Sequence, residues 1–411
     1  MTIDDLGTLI EQQDVLELTT AVSTQKMGRG AFLARAAALG LAAAVADALL
    51  AHAAAAATLG RAARDRAAAA AKGLDLVRWM SPRGTLDVVD DYANWVAQEM
   101  GYFRELGIES QLNAGPIDAT AGPKAVASGA MDMSYPSPGV FSLVLAAGLP
   151  VKSVWEMGAY DVFDFAVRLN SPYKSIKDLA GKTILLGSAG WQSIADPEFA
   201  QVGVNVKSMH YEAAGQQWGQ ALKAGKGDAA LSWEGLRAQW DGTGLTFRYF
   251  RGSTFSKFPA NSYVIRAKDL ASPKWVDIYT RYLRGWAMGL EFGQTNPAAA
   301  TQIVYKYRPA LAHTLKPAMG VESTKQLAAV FRGNWAHRQQ ISGLSSPWGW
   351  HDFVSWNTFF TVAHRIGQLA HVIQAQNVIT NSLVAGANKF DHARVRNDAM
   401  RYKTSMAFAG R

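Results

Sequence analysis

Two stretches of this chain, residues 125–139 and 221–235, carry the same punctuation. Ala125, Gly129, Asp132 and Gly139 in the first fall at the same offsets as Ala221, Gly225, Asp228 and Gly235 in the second. Each stretch reads as the last turns of a helix, a glycine suited to the left-handed cap position, an aspartate opening a short buried strand, and a loop. Helices that lead into buried strands build parallel sheets, and in such sheets ligands sit just beyond the carboxyl ends of the strands. Two such units predict an α/β chain with two lobes, each offering one loop to a shared ligand.

With 411 residues the chain has material for two cores of ordinary size. Its apolar and charged contents are those of a globular protein and exclude a disordered or collagen-like chain. The absence of cysteine excludes disulfides, thiolate metal sites and thiol nucleophiles, and the few dispersed histidines give a metal site no support. No metal and no cofactor is expected. The net charge of +8 is uneven: residues 1–57 hold more acids than bases, so the rest is the more basic part. A basic surface attracts anions, but the lysines and arginines form no run and no aromatic-interleaved helix, so no nucleic acid is expected.

Residues 1–26 are polar and aperiodic. From Met27 a cationic start, an alanine-leucine stretch and small residues between Ala53 and Ala57 give the layout of an export signal, so residues 1–57 are expected to be signal and leader. Arg29-Gly30-Ala31-Phe32-Leu33 resembles the twin-arginine signal, with Gly30 standing where the second arginine would be. Arg35 and Asp47 interrupt the apolar run and argue against a membrane anchor. The alanine-rich residues 58–73 read as a tether.

The folded part is expected to start at Leu74. Strands are predicted over residues 74–80, 107–112, 151–156, 163–169, 182–186 and 204–210. Residues 247–250 and 262–266 read as strands returning to the first lobe. Asp90-Asp91 opens a helix, where acids suit the dipole. From Ser272 the pattern is helical almost to the end.

Gly181-Lys182-Thr183 has the end of a phosphate loop, but Ile176 stands where the motif needs glycine, and a strand follows it instead of preceding it. No nucleophile elbow, zinc-protease helix or dinucleotide fingerprint is present, and no catalytic residue is assigned. Four loops remain at strand ends. They hold Ser81, Arg83 and Thr85; Tyr135 and Ser137; Ser188, Gly190, Trp191 and Gln192; and Trp233 and Glu234. The third is a glycine-rich turn entering a helix, which offers backbone N–H groups to an anion. Each loop alone also reads as turn chemistry, and Trp191 and Trp233 as core.

Several blocks, in order, resemble the substrate-binding proteins of ABC importers, in the group that handles nitrate, sulfonates, taurine and thiamine-pyrimidine precursors. Residues 101–112 are similar to that family's Gly-x-Phe-x-x-x-Gly-Leu-x-Val segment. Residues 125–132, 148–152, 175–183 and 221–234 match further blocks, and residues 379–391 resemble the C-terminal helix of the sulfonate and taurine type. The resemblance implies a two-lobed periplasmic-binding-protein fold of type II with the cleft between lobes and a helical C-terminal extension. Residues 74–157 with 261–411 would form lobe I and residues 158–260 lobe II. It implies a periplasmic monomer that delivers its ligand to a membrane permease and its ATPase subunit.

Carried over residue by residue, the ligand contacts are Ser81, Arg83, Gly84, Thr85, Tyr135, Ser137, Ser188, Gly190 and Trp191, with Trp233 and Glu234 beside them; Gln192 joins the expected set from the third loop. Arg83 stands where the family often has a small residue, and would pair with a carboxylate or sulfonate. The expected ligand is therefore an organic anion, flanked by Tyr135, Trp191 and Trp233 if its body is aromatic. The competing readings are a biosynthetic enzyme of the same fold, of pyrimidine-precursor or menaquinone-pathway type, with His210 or Lys182 as its nearest acid–base candidates, and a sensor subunit.

Overall fold

The computed structural model describes residue 21 and residues 27–38, 58–158 and 160–409. The chain divides into two units after Gly73. The first holds a helix at Arg29–Ala38 and another over residues 58–70. The alanine-leucine part of the expected export signal, residues 39–57, lies outside the described residues. Among the described residues no helix is long and apolar enough to cross a membrane.

The second unit contains two five-stranded sheets of one plan. Strands β1 (Asp75–Met80), β2 (Ile108–Asn113), β3 (Met133–Ser134), β4 (Val151–Glu156) and β10 (Ser262–Arg266) form the first, in the order β2-β1-β3-β10-β4. Strands β5 (Phe163–Val167), β6 (Thr183–Leu186), β7 (His210–Ala213), β8 (Ala229–Trp233) and β9 (Arg248–Arg251) form the second, in the order β7-β6-β8-β5-β9. In each sheet three neighbouring strands are parallel and the fourth is antiparallel: β10 in one, β5 in the other. The antiparallel strand is the one that has just crossed from the other sheet.

The repeated units lead into β3 and β8, the central strands. Gly129 and Gly225 adopt φ of 84° and 86°, the left-handed region that glycine enters without a Cβ penalty. The aspartates do the same work in both sheets. Asp132 donates its N–H to Arg78 O, and its carboxylate accepts the Arg78 N–H at 2.9 Å. Asp228 donates its N–H to Thr183 O, and its carboxylate accepts the Thr183 N–H at 3.0 Å. Each closes a two-bond clasp on the neighbouring parallel strand at the point where the pairing begins, satisfying a backbone donor that would otherwise be buried without a partner.

Two expectations for lobe II need correction. Residues 247–250 do not return to the first lobe: β9 pairs antiparallel with β5 in the second sheet, Phe250 opposite Phe165. Residues 204–210 are not a strand. Val206–Ser208 is a 3-10 turn capped by the Asn205 side chain, and the strand starts at His210.

The C-terminal helices do more than cover lobe I. Helix Pro273–Thr295 lies tightly on helix Tyr92–Glu99, because a Cβ at Gly289 would fall 2.0 Å from Ala93 O. Helix Pro317–Arg332 packs on helix Glu234–Gly242 of the second lobe, and helix Phe353–Arg365 packs on both Pro138–Ala146 and Gln192–Gln201. Gln368 Nε2 donates to Ser142 Oγ in one lobe and to Ser193 O in the other, at 2.7 and 3.3 Å.

Candidate ligand site

Between the sheets, at the carboxyl ends of β1, β3, β6 and β8, lies a partly open cavity of about 60 Å³. That is room for on the order of five water-sized groups. Lobe I contributes Arg83, Asp90, Tyr135 and Ser137, lobe II contributes Trp191, Trp233 and Glu234, and Leu327 and Phe331 of the C-terminal helices close one side. Ala119 and Val140 of lobe I are buried in the apolar cluster of lobe II, so the lobes meet closely around the cavity.

Two glycines of the repeated units make that contact. A Cβ at Gly139 would lie 2.2 Å from Ser193 O, and one at Gly235 would lie 2.2 Å from Asp90 Oδ2. Each last glycine of the repeat therefore faces the opposite lobe: a Cβ at 139 would strike backbone, and one at 235 would displace the Asp90 carboxylate.

Arg83 is set by a short loop. Ser81 Oγ accepts the Arg83 N–H and donates to Thr85 O, both at 3.2 Å, while Gly84 takes φ of 70°. The guanidinium then donates Nη1 to Tyr135 Oη at 2.9 Å and Nη2 to Asp91 Oδ2. Burial works against the arginine's charge, but Asp91, Tyr135 and Asp90 outweigh it and raise its pKa. Asp91 is the residue before helix Tyr92–Glu99, yet its side chain makes no capping bond. The expectation that Asp90-Asp91 serves the helix dipole misses both: Asp91 reaches Arg83, and Asp90 lines the cavity.

Asp90 is only 3% exposed and its Oδ2 has no hydrogen-bond partner. Burial pushes its pKa up to about 6, Arg83 opposing and Asp91 and Glu234 reinforcing the shift. Across the cavity Glu234 pairs with Arg237, whose Nε lies 3.0 Å from Asp164 Oδ2. Burial raises the Asp164 carboxyl to about 7 despite Arg237. Behind Trp191 and Trp233 stand Trp218 and Trp240, a run of indoles with neighbouring ring centroids 5.5 to 6.1 Å apart. Trp218 Nε1 bonds Leu231 O at 2.8 Å, whereas Trp233 Nε1 has no partner.

Of the residues expected at the site, Arg83, Tyr135, Ser137, Trp191, Trp233 and Glu234 line the cavity. Ser81, Gly84 and Thr85 shape the Arg83 loop from behind. Ser188 and Gly190 lie in the turn that delivers Trp191, and Gly190 packs against Ala119. Gln192 is exposed and donates to Asp196. Ser137 is also the cap of helix Pro138–Ala146, accepting the Val140 N–H at 3.2 Å.

His210 is exposed, and Lys182 lies over the Tyr173 ring; neither lines the cavity. A Ser153–His351–Asn381 chain has hydrogen bonds of 2.7 and 2.9 Å like those of a hydrolase triad. Ser153 and His351 are wholly buried, however, so it serves to join the C-terminal extension to β4. Among the described residues no group of His, Asp and Glu is arranged to hold a metal ion.

Two like sheets, two chain crossings and a cavity between them define the periplasmic-binding-protein fold. The profile of the NMT1/THI5-like family matches residues 92–300, and the chain belongs to that family. Its structure is similar to that of the alkanesulfonate-binding protein SsuA from Xanthomonas axonopodis pv. citri bound to MOPS, with 13% identity and a TM-score of 0.55 over 74% of this chain and 98% of that one. It is similar to the periplasmic aliphatic sulphonate-binding protein SsuA of Escherichia coli, with 12% identity and a TM-score of 0.52 over 74% and 92%. The ligand-binding component of an ABC-type import system from Staphylococcus aureus, with zinc bound, matches with 11% identity and a TM-score of 0.57 over 77% and 99%. At these identities the likeness establishes the fold. No curated protein sequence matches the chain.

Proposed function

We propose that this protein is the extracytoplasmic solute-binding subunit of an ABC importer. It encloses one small organic molecule between its lobes and passes it to a permease and its ATPase subunit. The observation that carries this reading is the cavity at the carboxyl ends of both sets of parallel strands, walled by both lobes. The family and the fold support it, and the export-signal layout expected of residues 1–57 accords with a periplasmic protein. His210 and Lys182, the nearest acid–base candidates for the enzyme reading, do not line the cavity.

The expected organic anion rested on Arg83. Asp91 and Tyr135 already hold that guanidinium, so the whole cavity, and not one arginine, must decide the charge of the ligand. The size of the cavity favours a compact molecule over an extended aromatic one.

Native mass spectrometry of freshly purified protein tests the function. A mass increment of one small molecule, lost on unfolding and restored by adding that molecule back, is the expected result. A protein that carries nothing and whose melting temperature no small metabolite raises is not a solute-binding subunit.

A further inference from the structure

The charged groups of the cavity do not balance. Arg83, Asp90 and Glu234 line it, and Asp91, Arg237 and Asp164 stand directly behind them. Two cations thus face four carboxyl groups, and no lysine or histidine lines the cavity to offset them. Three polar atoms on lining residues are buried without partners: Asp90 Oδ2, Arg83 Nε and Trp233 Nε1. Buried polar groups ordinarily find partners, and one carboxylate oxygen left over beside a cavity calls for a donor.

We propose that the ligand carries a positively charged nitrogen, an ammonium or amidinium, that docks on Asp90, with Glu234 completing the acidic side of the cavity. The assignment deepens the solute-binding reading and rests on it. A simple carboxylate or sulfonate would add negative charge to a site whose buried lining already has an excess of it, whereas a cation reduces the excess. Tyr135 and Trp233 supply aromatic surface that suits a cation. Arg83 Nε and Trp233 Nε1 are donors, so the other end of the ligand carries an acceptor such as a hydroxyl or carbonyl oxygen. The raised pKa of Asp90 accords with a carboxylate that has no cation of its own, since Arg83 is shared with Asp91.

The test is calorimetric titration at pH 7.5 of full-length protein unfolded and refolded to strip any carried ligand. The probes are 3-aminopropan-1-ol, its neutral isostere butan-1-ol, propanoate and ethanesulfonate. The amine is expected to bind most tightly, with the alcohol at least about tenfold weaker, as loss of a charge-assisted hydrogen bond implies. Asp90→Asn should weaken the amine by about 10- to 100-fold and barely change the alcohol. Glu234→Gln, acting from the opposite lobe, should weaken the amine as well, which guards against a folding defect in either variant alone.

Tighter binding of propanoate or ethanesulfonate than of the amine overturns the assignment and leaves the solute-binding function standing. So does an Asp90→Asn protein that binds the amine as well as the parent. If no probe binds, the ligand seen by native mass spectrometry decides: a nitrogen base supports the assignment, and an anion or neutral molecule overturns it. A protein that carries nothing and binds nothing overturns the solute-binding reading and this assignment with it.

Discussion

Arg83 Nη1 donates to Tyr135 Oη over 2.9 Å, joining the loop after β1 to the loop after β3 beneath the ligand cavity. With Asp91 on its other nitrogen, the guanidinium is a structural part of lobe I before any ligand arrives. Removing it leaves Asp91 buried without its partner. Arg83→Ala is therefore expected to lower stability by about 3–5 kcal/mol. Arg83→Met combined with Asp91→Leu should recover most of that loss. Urea unfolding of the parent and the two variants measures this. An Arg83→Ala protein as stable as the parent would show that the pair contributes nothing.

The two glycines at the lobe contact predict a separation of folding from closure. In Gly139→Ala and Gly235→Ala the new Cβ would meet Ser193 O or Asp90 Oδ2 of the opposite lobe. Each lobe keeps its own core, so the variants should fold, stay more open in small-angle scattering, and bind the carried ligand at least about tenfold more weakly. Unchanged scattering and affinity in both would mean that the contact does not govern closure.

The paired aspartates predict unequal costs from equal positions. Asp132 is wholly buried and also takes Arg78 Nε at 3.1 Å and Arg266 at 3.4 Å. Asp228 is half-buried, with Tyr173 Oη at 2.6 Å as its other bond. Asp132→Ala takes the carboxylate from the buried Arg78, while Arg266 keeps Asp269, and should cost about 3–5 kcal/mol. Asp228→Ala should cost about 1–2 kcal/mol. Thermal and urea unfolding would show the order.

His351 predicts a pH dependence. Burial lowers its pKa to about 3, against a partial counter-effect from Asn381. The unfolded chain binds a proton there near pH 6.5 and the folded protein does not. The stability it contributes is thus fully present above pH 6.5 and is lost as pH falls towards 3. Unfolding free energies of parent and His351→Gln, compared across that range, should converge as the pH falls. Parallel profiles would mean that the histidine keeps an ordinary pKa in the fold.

Much of the architecture was legible in the chain because it depends on local rules. The glycines Gly129 and Gly225 mark left-handed caps wherever they occur, and buried apolar runs such as residues 183–186 specify strands. The matched spacing of Asp132 and Asp228 marked the start of a buried strand in each lobe, which the fold sets at the centre of each sheet. What misled was also local. Residues 247–250 look alike in either lobe, and only pairing with β5 decides which sheet they join. Asp90-Asp91 reads as a helix start because nothing in the sequence reveals that Arg83 folds back onto it.

The sequence by itself determined two αβ lobes, the loops that would face one another, and six of the residues that line the cavity. Tertiary structure alone decided their electrostatic meaning. Charge in a cleft depends on who stands next to whom: Asp91 becomes the neighbour of Arg83, and Arg237 of Glu234, only when each lobe folds, and the two sets face one another only where the lobes meet. The same holds for Gly139 and Gly235: in the chain they end two repeats, and in the fold they are where each lobe admits the other.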